Sequence, residues 1–256
     1  MSILRKFSLL LLLTSASAVQ AAEVAPPPII LYVTSYMIHP GAAPMFEQLV
    51  QRCKAAAEKL GNRPTWAAYS PGIGNDLQYN FASPVTSFGM FADMSDDVFT
   101  AFGMEEAQKT AAMAKESIAG IESYVVMSRA DLGIAAPERE TPHEMVFAYS
   151  IVVKPGKNAE WEATMEKVIE ASNKVAPGVF WNTYQGTIAA PNLYMIRVNL
   201  DWTDMDTPIM PVPARLKAAF GDKKGERIWQ DNIEVVESLE TSLSRFRLDL
   251  SHLPQS

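Results

Sequence analysis

The sequence predicts an α+β chain: two tandem βαββαβ units that close on each other as one intramolecular α/β barrel. Three observations predict it. Residues 29–132 recur as residues 144–250; both copies show the same order of elements; and the opening strand of each copy is apolar on both faces. At a constant spacing of 115, Ser35 meets Ser150, Pro40-Gly41 meets Pro155-Gly156, Glu47 meets Glu162, Trp66 meets Trp181, Tyr69 meets Tyr184 and Tyr79 meets Tyr194. The spacing drops to 111 where Phe91-Ala92-Asp93-Met94 faces Trp202-Thr203-Asp204-Met205. It becomes 118 at Ala101-Phe102-Gly103 against Ala219-Phe220-Gly221, and holds to Arg129-Ala130-Asp131-Leu132 against Arg247-Leu248-Asp249-Leu250. Solenoid units run to roughly 20–50 residues, so a period this long is a doubled domain.

Each element follows from local pattern. Ile29–Ile38 and Met145–Val153 carry β-branched and aromatic residues at both alternations, the mark of a strand covered on two sides. Pro40-Gly41 and Pro155-Gly156 end them. Phe46, Val50, Cys53, Ala57 and Leu60 then recur at helical spacing, matched by Trp161, Met165, Val168, Ser172 and Val175. Cys53 takes a valine's place in that stripe, as a small buried hydrophobe. Two strands follow, near Thr65–Ser70 and Leu77–Ser83, and near Phe180–Gln185 and Asn192–Leu200, with Pro71-Gly72 and Gly186 placed to turn between them. A short helix ends at Phe102-Gly103 or Phe220-Gly221, where glycine suits the C-terminal position. A longer helix leads to the last strand, Tyr124–Arg129 or Leu243–Arg247. This is the split βαβ order of ferredoxin-like units.

A ferredoxin-like sheet has helices on one face only, so two of them facing each other bury what each leaves bare. In element order and strand character the chain resembles the dimeric α/β-barrel superfamily in fused form, including its antibiotic-biosynthesis-monooxygenase-like and NIPSNAP-like members. The resemblance covers nearly all of the chain after its first residues. It implies a ligand site between sheet and helices, and either small-molecule binding or cofactor-independent oxygenation. Chlorite-dismutase-like members ligate haem iron through a second-repeat histidine. Residues 144–250 here contain none, so no cofactor is expected.

The N-terminus reads as a signal peptide over residues 1–21: Arg5-Lys6, an apolar run from Phe7 to Leu13, then Ala16-Ser17-Ala18 and Val19-Gln20-Ala21 as cleavage sites. Residues 22–28 form a proline-rich spacer, 133–143 a linker and 251–256 a tail. The expected setting is therefore exported, periplasmic or secreted. Cleavage removes two of 22 basic residues against 29 acidic ones, taking the net charge from −7 to −9. With no basic stripe, that balance argues against nucleic acid. No later segment reaches the roughly 18 apolar residues of a membrane span. One cysteine forms no internal disulfide, so the core must hold the fold.

Chemistry-bearing motifs are scarce. The sequence has three histidines, and only His39 lies beside a predicted element. It is the one candidate base, at the end of the first strand, where the second copy has Lys154. A histidine before Pro-Gly is more commonly a solvated turn residue. Histidine and cysteine are too few for a transition-metal site, and no metal is expected. The aromatic residues shared by both copies, Trp66, Tyr79, Trp181 and Tyr194, are candidate pocket walls, and equally a shared core. Arg197 replaces Ala82 and is a candidate anchor for an acidic group, or one half of an ion pair. The second copy adds Thr207-Pro208-Ile209-Met210-Pro211-Val212-Pro213, a stiff apolar flap with Met210 as a gate. Together these predict binding of a small apolar or aromatic molecule, with an acid as one form of it. The alternatives are a cofactor-independent monooxygenase and a noncatalytic envelope-assembly protein; association of copies into a homo-oligomer is compatible with all three.

Overall fold

A computed structural model describes residues 27–59, 65–73, 77–91, 102–139 and 141–253. The signal peptide, most of the spacer, Leu60, Ala92–Met94 and residues 254–256 lie outside the described residues. The first copy supplies β1 (Ile30–Ile38), α1 (Ala43–Lys59), β2 (Ala67–Ile73), β3 (Gln78–Pro84), α2 (Met104–Ser117) and β4 (Ile118–Ser128). The second supplies β5 (Met145–Val153), α3 (Asn158–Val175), β6 (Asn182–Ile188), β7 (Leu193–Leu200), α4 (Val212–Phe220), α5 (Asp222–Val235) and β8 (Val236–Phe246).

All eight strands form one closed barrel in the order β1-β3-β2-β8-β5-β7-β6-β4. Within each copy the order is that of a ferredoxin-like sheet. The closing ladders are made between copies, β2 on β8 and β4 on β6, all antiparallel. Tyr69 faces Phe246 in one ladder and Tyr184 faces Ser128 in the other, so the copies are related by a pseudo-twofold. Closure leaves no strand edge unpaired.

Alternation along the strands sorts the side chains. Tyr36, Ile38, Tyr79 and Phe81 pack on the helices of the first half, with Phe46, Leu49 and Val50 of α1. Ile151, Val153, Tyr194 and Ile196 pack on those of the second, with Trp161, Met165 and Val168 of α3. Trp161 is fully buried, its ring centroid 4.1 Å from that of Tyr194. The helical stripes read from the sequence are these contacts. Cys53 packs half-buried against the first core, and burial pushes its thiol pKa up.

Two local expectations change. Pro71-Gly72 and Gly186 do not turn the chain; they lie inside β2 and β6, at register shifts against β8 and β4. The backbone is too close there for any side chain: a Cβ on Gly72 would lie 2.7 Å from the Leu243 carbonyl oxygen, and one on Gly186 1.9 Å from that of Ala190. The glycines serve barrel closure and bulging. The β6–β7 turn comes later, with Ala189 at φ 66°. The last strands also begin six or more residues before the apolar signal, at Ile118 and Val236, because α2 and α5 run straight into them. Gly221, at φ 84°, does end α4, and Gly103 at φ 73° holds the equivalent place.

Candidate functional site

The residues that marked the duplication meet across the pseudo-twofold. Arg129, at the end of β4, reaches into the other half and donates to Glu162 of α3 at 2.8 and 3.0 Å, while also holding Asp131. Tyr194 donates to the same Glu162 at 2.5 Å. Its counterpart repeats these contacts, though without the Gln185 that also bonds Arg129 and Tyr194: Arg247, at the end of β8, donates to Glu47 of α1 at 2.6 and 3.0 Å and to Asp249 at 2.7 Å, and Tyr79 donates to Glu47 at 2.8 Å. The Trp66 indole N–H donates to the Leu250 carbonyl at 2.8 Å, and that of Trp181 to the Leu132 carbonyl at 3.0 Å. Leu250 belongs to the first-half core and Leu132 to the second-half core. Each copy thus ends by inserting an Arg-x-Asp-Leu tail into its neighbour.

The electrostatics follow this wiring. Guanidinium hydrogen bonds hold the Glu47 and Glu162 carboxyls below the usual carboxylate range, and Asp131 and Asp249 likewise. Burial, then the adjacent glutamate, pushes the Tyr79 and Tyr194 phenols well above theirs. Of the candidate wall residues, Tyr79 and Tyr194 are buried and spend their hydroxyls on these clasps. Half-buried Trp66 packs on His252 at 5.2 Å. Of the four, Trp181 borders a hollow.

That hollow is a groove of about 440 Å³ on the second half. Its apolar wall is Val179, Phe180, Trp181, Val198, Leu200 and Ile209; Glu138, Arg139, His143, Asn182, Asn199 and Asp204 supply polar groups. Ala136–Arg139 and His143 of the linker form one bank, the turn before β6 another, and the end of β7 the floor. At one end Arg139 donates to Asp201 at 2.8 Å, and His143 lies 3.4 Å from the same carboxylate. Arg139 chiefly holds the Asp201 carboxyl below its ordinary value. His143, Asp201 and Asp204 offer ligand atoms close enough together for a metal ion. The Arg139 guanidinium already supplies their cation, and Asp201 and Asp204 cap the 3₁₀ turn Trp202–Asp206.

The sequence expects Trp181, Tyr194, Arg197 and Met210 around one pocket. The structure divides them. Tyr194 and Arg197 are three apart on β7 and point to opposite faces, Tyr194 to the helices and Arg197 to the barrel interior, where Arg197 lines the interior hollow and also borders the groove walled by Trp181. Met210 is 42% exposed on the flap, and Thr207 and Ile209 are the flap residues that border the groove. His39 is exposed at the end of β1, outside both the groove and the barrel hollow. Sequence reasoning passed over Arg139 and His143 because the linker carries no periodicity. It passed over the roles of Arg129 and Arg247 although their motif repeats.

Neither a family model nor a curated protein matches the sequence. Solved structures do. A candidate monooxygenase from Fusobacterium nucleatum subsp. nucleatum is 12% identical with a TM-score of 0.51, over 86% of this chain and 93% of that one. A mutant chlorite dismutase from Candidatus Nitrospira defluvii is 11% identical with a TM-score of 0.50, over 87% and 92%. The chain has the dimeric α/β-barrel fold. In this dimeric α/β barrel both partners lie on one chain.

Haem, which the resemblance to chlorite-dismutase-like proteins would imply, does not fit the residues present. The space between the second sheet and its helices is filled by fully buried Trp161, Tyr194 and Leu216. No histidine lies on any element of the second half to ligate iron.

Proposed function

We propose that this dimeric α/β barrel binds a small carboxylic acid with an aromatic or apolar body in the second-half groove. The observation that carries the reading is the groove itself. Its volume falls within the roughly 300–1,000 Å³ of ligand sites, and it sets an apolar wall against an end where Arg139 and His143 lie beside Asp201 and Asp204. A flat ring suits the slot between Trp181 and Ile209, with the acid turned to Arg139 and His143. Arg139 holds Asp201 through Nη1 alone, since the other Asp201 oxygen takes the Glu144 N–H, and this leaves guanidinium donors for the acid.

Titrating the protein with 2-naphthoic acid and its amide, read by tryptophan fluorescence, tests this. The acid should bind more tightly than the amide. Arg139→Gln should bring the two within about threefold, and Ile209→Asp should weaken both by about tenfold or more. No saturable response to the acid, or the same response in all three proteins, would sink the reading. Oxygen uptake on adding a bound ligand would turn it towards the monooxygenase alternative.

The signal-peptide pattern supports placing this binding outside the cytoplasm, in the periplasm or medium. N-terminal sequencing of protein from its own host should find a start at Val19 or Ala22. An intact Met1 on cytoplasmic protein would overturn the placement.

A further inference from the structure

Arg197 is a half-buried cation set in the barrel interior. Its guanidinium is enclosed by strands from both halves, and the surface it keeps faces hollows. Arg129 and Arg247, half-buried as Arg197 is, each hold two carboxylates. Among the described residues no carboxylate forms an ion pair with Arg197. It lies instead over tyrosine rings, 4.8 Å from the centroid of Tyr69 and 6.0 Å from that of Tyr184. Cation–π contact of this kind supports a charge without neutralising it. Its counterpart in the first copy is Ala82, so neither barrel closure nor the pseudo-twofold requires a cation there.

Beside the guanidinium is a hollow of about 80 Å³, bordered by Asn80, Tyr124, Ser150, Ser242 and Ser244. A single water needs about 10–15 Å³ measured this way, so there is room for several waters or one small polyatomic ion. An enclosed charge without a counter-charge is strongly unfavourable, and a counter-ion relieves that penalty. A single arginine matches a single negative charge. Hydroxyl and amide donors on the opposite walls can satisfy the remaining oxygens of such an ion.

We propose that the barrel interior binds a small monovalent anion, of halide to nitrate or acetate size, on Arg197. Arg197 borders both hollows, but Asn80, Tyr124, Ser150, Ser242 and Ser244 border the interior one alone, and it is there that the anion is placed. Inorganic ions are therefore the probes, and Ala148, which lines the interior hollow and not the groove, tells this site from that of the naphthoic acid.

Chloride NMR line broadening on the full chain reads weak halide sites directly. Wild-type protein should broaden the chloride line, and nitrate should reverse the effect. Arg197→Gln should reduce the broadening by roughly tenfold or more. Ala148→Leu, on the neighbouring strand position to Arg197 and lining the hollow, should do the same with the arginine intact. A bromide-soaked crystal should show an anomalous peak within contact distance of the guanidinium. Broadening that survives both substitutions, or no peak in the barrel at saturating bromide, overturns the proposal. The soak and the Ala148 variant keep it decidable should Arg197→Gln fail to fold.

Discussion

Arg129→Ala and Arg247→Ala should each lower the stability of the barrel by about 2–4 kcal/mol. Their side chains are 19% and 21% exposed, between the surface pairs that contribute little and the buried pairs whose breakage is severe. The cost is more than a lost contact, because each removal leaves a glutamate, an aspartate and a tyrosine gathered round no cation. The two clasps share no residue, so the double variant should lose close to the sum. Urea unfolding measures this, and a loss below about 0.5 kcal/mol in either single variant would mean the clasps are ornamental. The pH dependence follows in sign. Glu47 and Glu162 have folded pKa values below the ordinary 4.5, so their contribution is present above that value and is lost as pH falls through the lower, folded one. Tyr79 and Tyr194 have folded values raised above 10.0, so theirs is complete below pH 10 and is lost as pH rises through the raised value. Stability should be flat between, and Glu47→Gln with Glu162→Gln should flatten the acid limb as well.

Cutting the chain in its linker should have a larger effect still. Residues 27–139 alone should show no cooperative unfolding as a monomer, and mixing them with residues 141–256 should restore a 1:1 complex with the intact protein's circular dichroism. Apart, each half exposes two strand edges, β2 and β4 or β6 and β8, and lacks the leucine that completes its core. Leu250 and Leu132 are almost fully buried, and losing one such leucine costs about 2–5 kcal/mol. Analytical ultracentrifugation with chemical denaturation would decide it. A monomeric first half that unfolds cooperatively, with stability near that of the whole chain, would contradict the interlocked architecture.

Much of this was legible in the sequence because the copies preserve what they exchange. Trp66 with Trp181, Tyr79 with Tyr194 and Glu47 with Glu162 stay in register since each touches the opposite copy's tail. The register revealed the fold but not those contacts, for a repeat shows that two residues are equivalent without showing what they touch. Strand ends were blurred where glycine had two meanings: Gly186 reads as a turn, yet crowding against Ala190 makes it a strand residue. The candidate site was less legible. Arg197 stood out as the charge that breaks the repeat. Its direction followed only from counting alternation from Tyr194, which faces the helices. The groove draws on linker, turn and strand residues whose proximity no local pattern encodes.

The exchange of tails also orders the protein's synthesis in time. Glu47 finds its arginine 200 residues further along the chain, and Trp66 its carbonyl partner 184 residues on. A ribosome that has made the whole first copy has therefore not made a foldable object, and the first half stays without its clasp until Arg247 to Leu250 have been added. Folding of so non-local a topology is slow as well. A stop codon at Arg247 would leave the second half its own clasp, Arg129 on Glu162, and would strip the first half of the lock it was made earliest to receive.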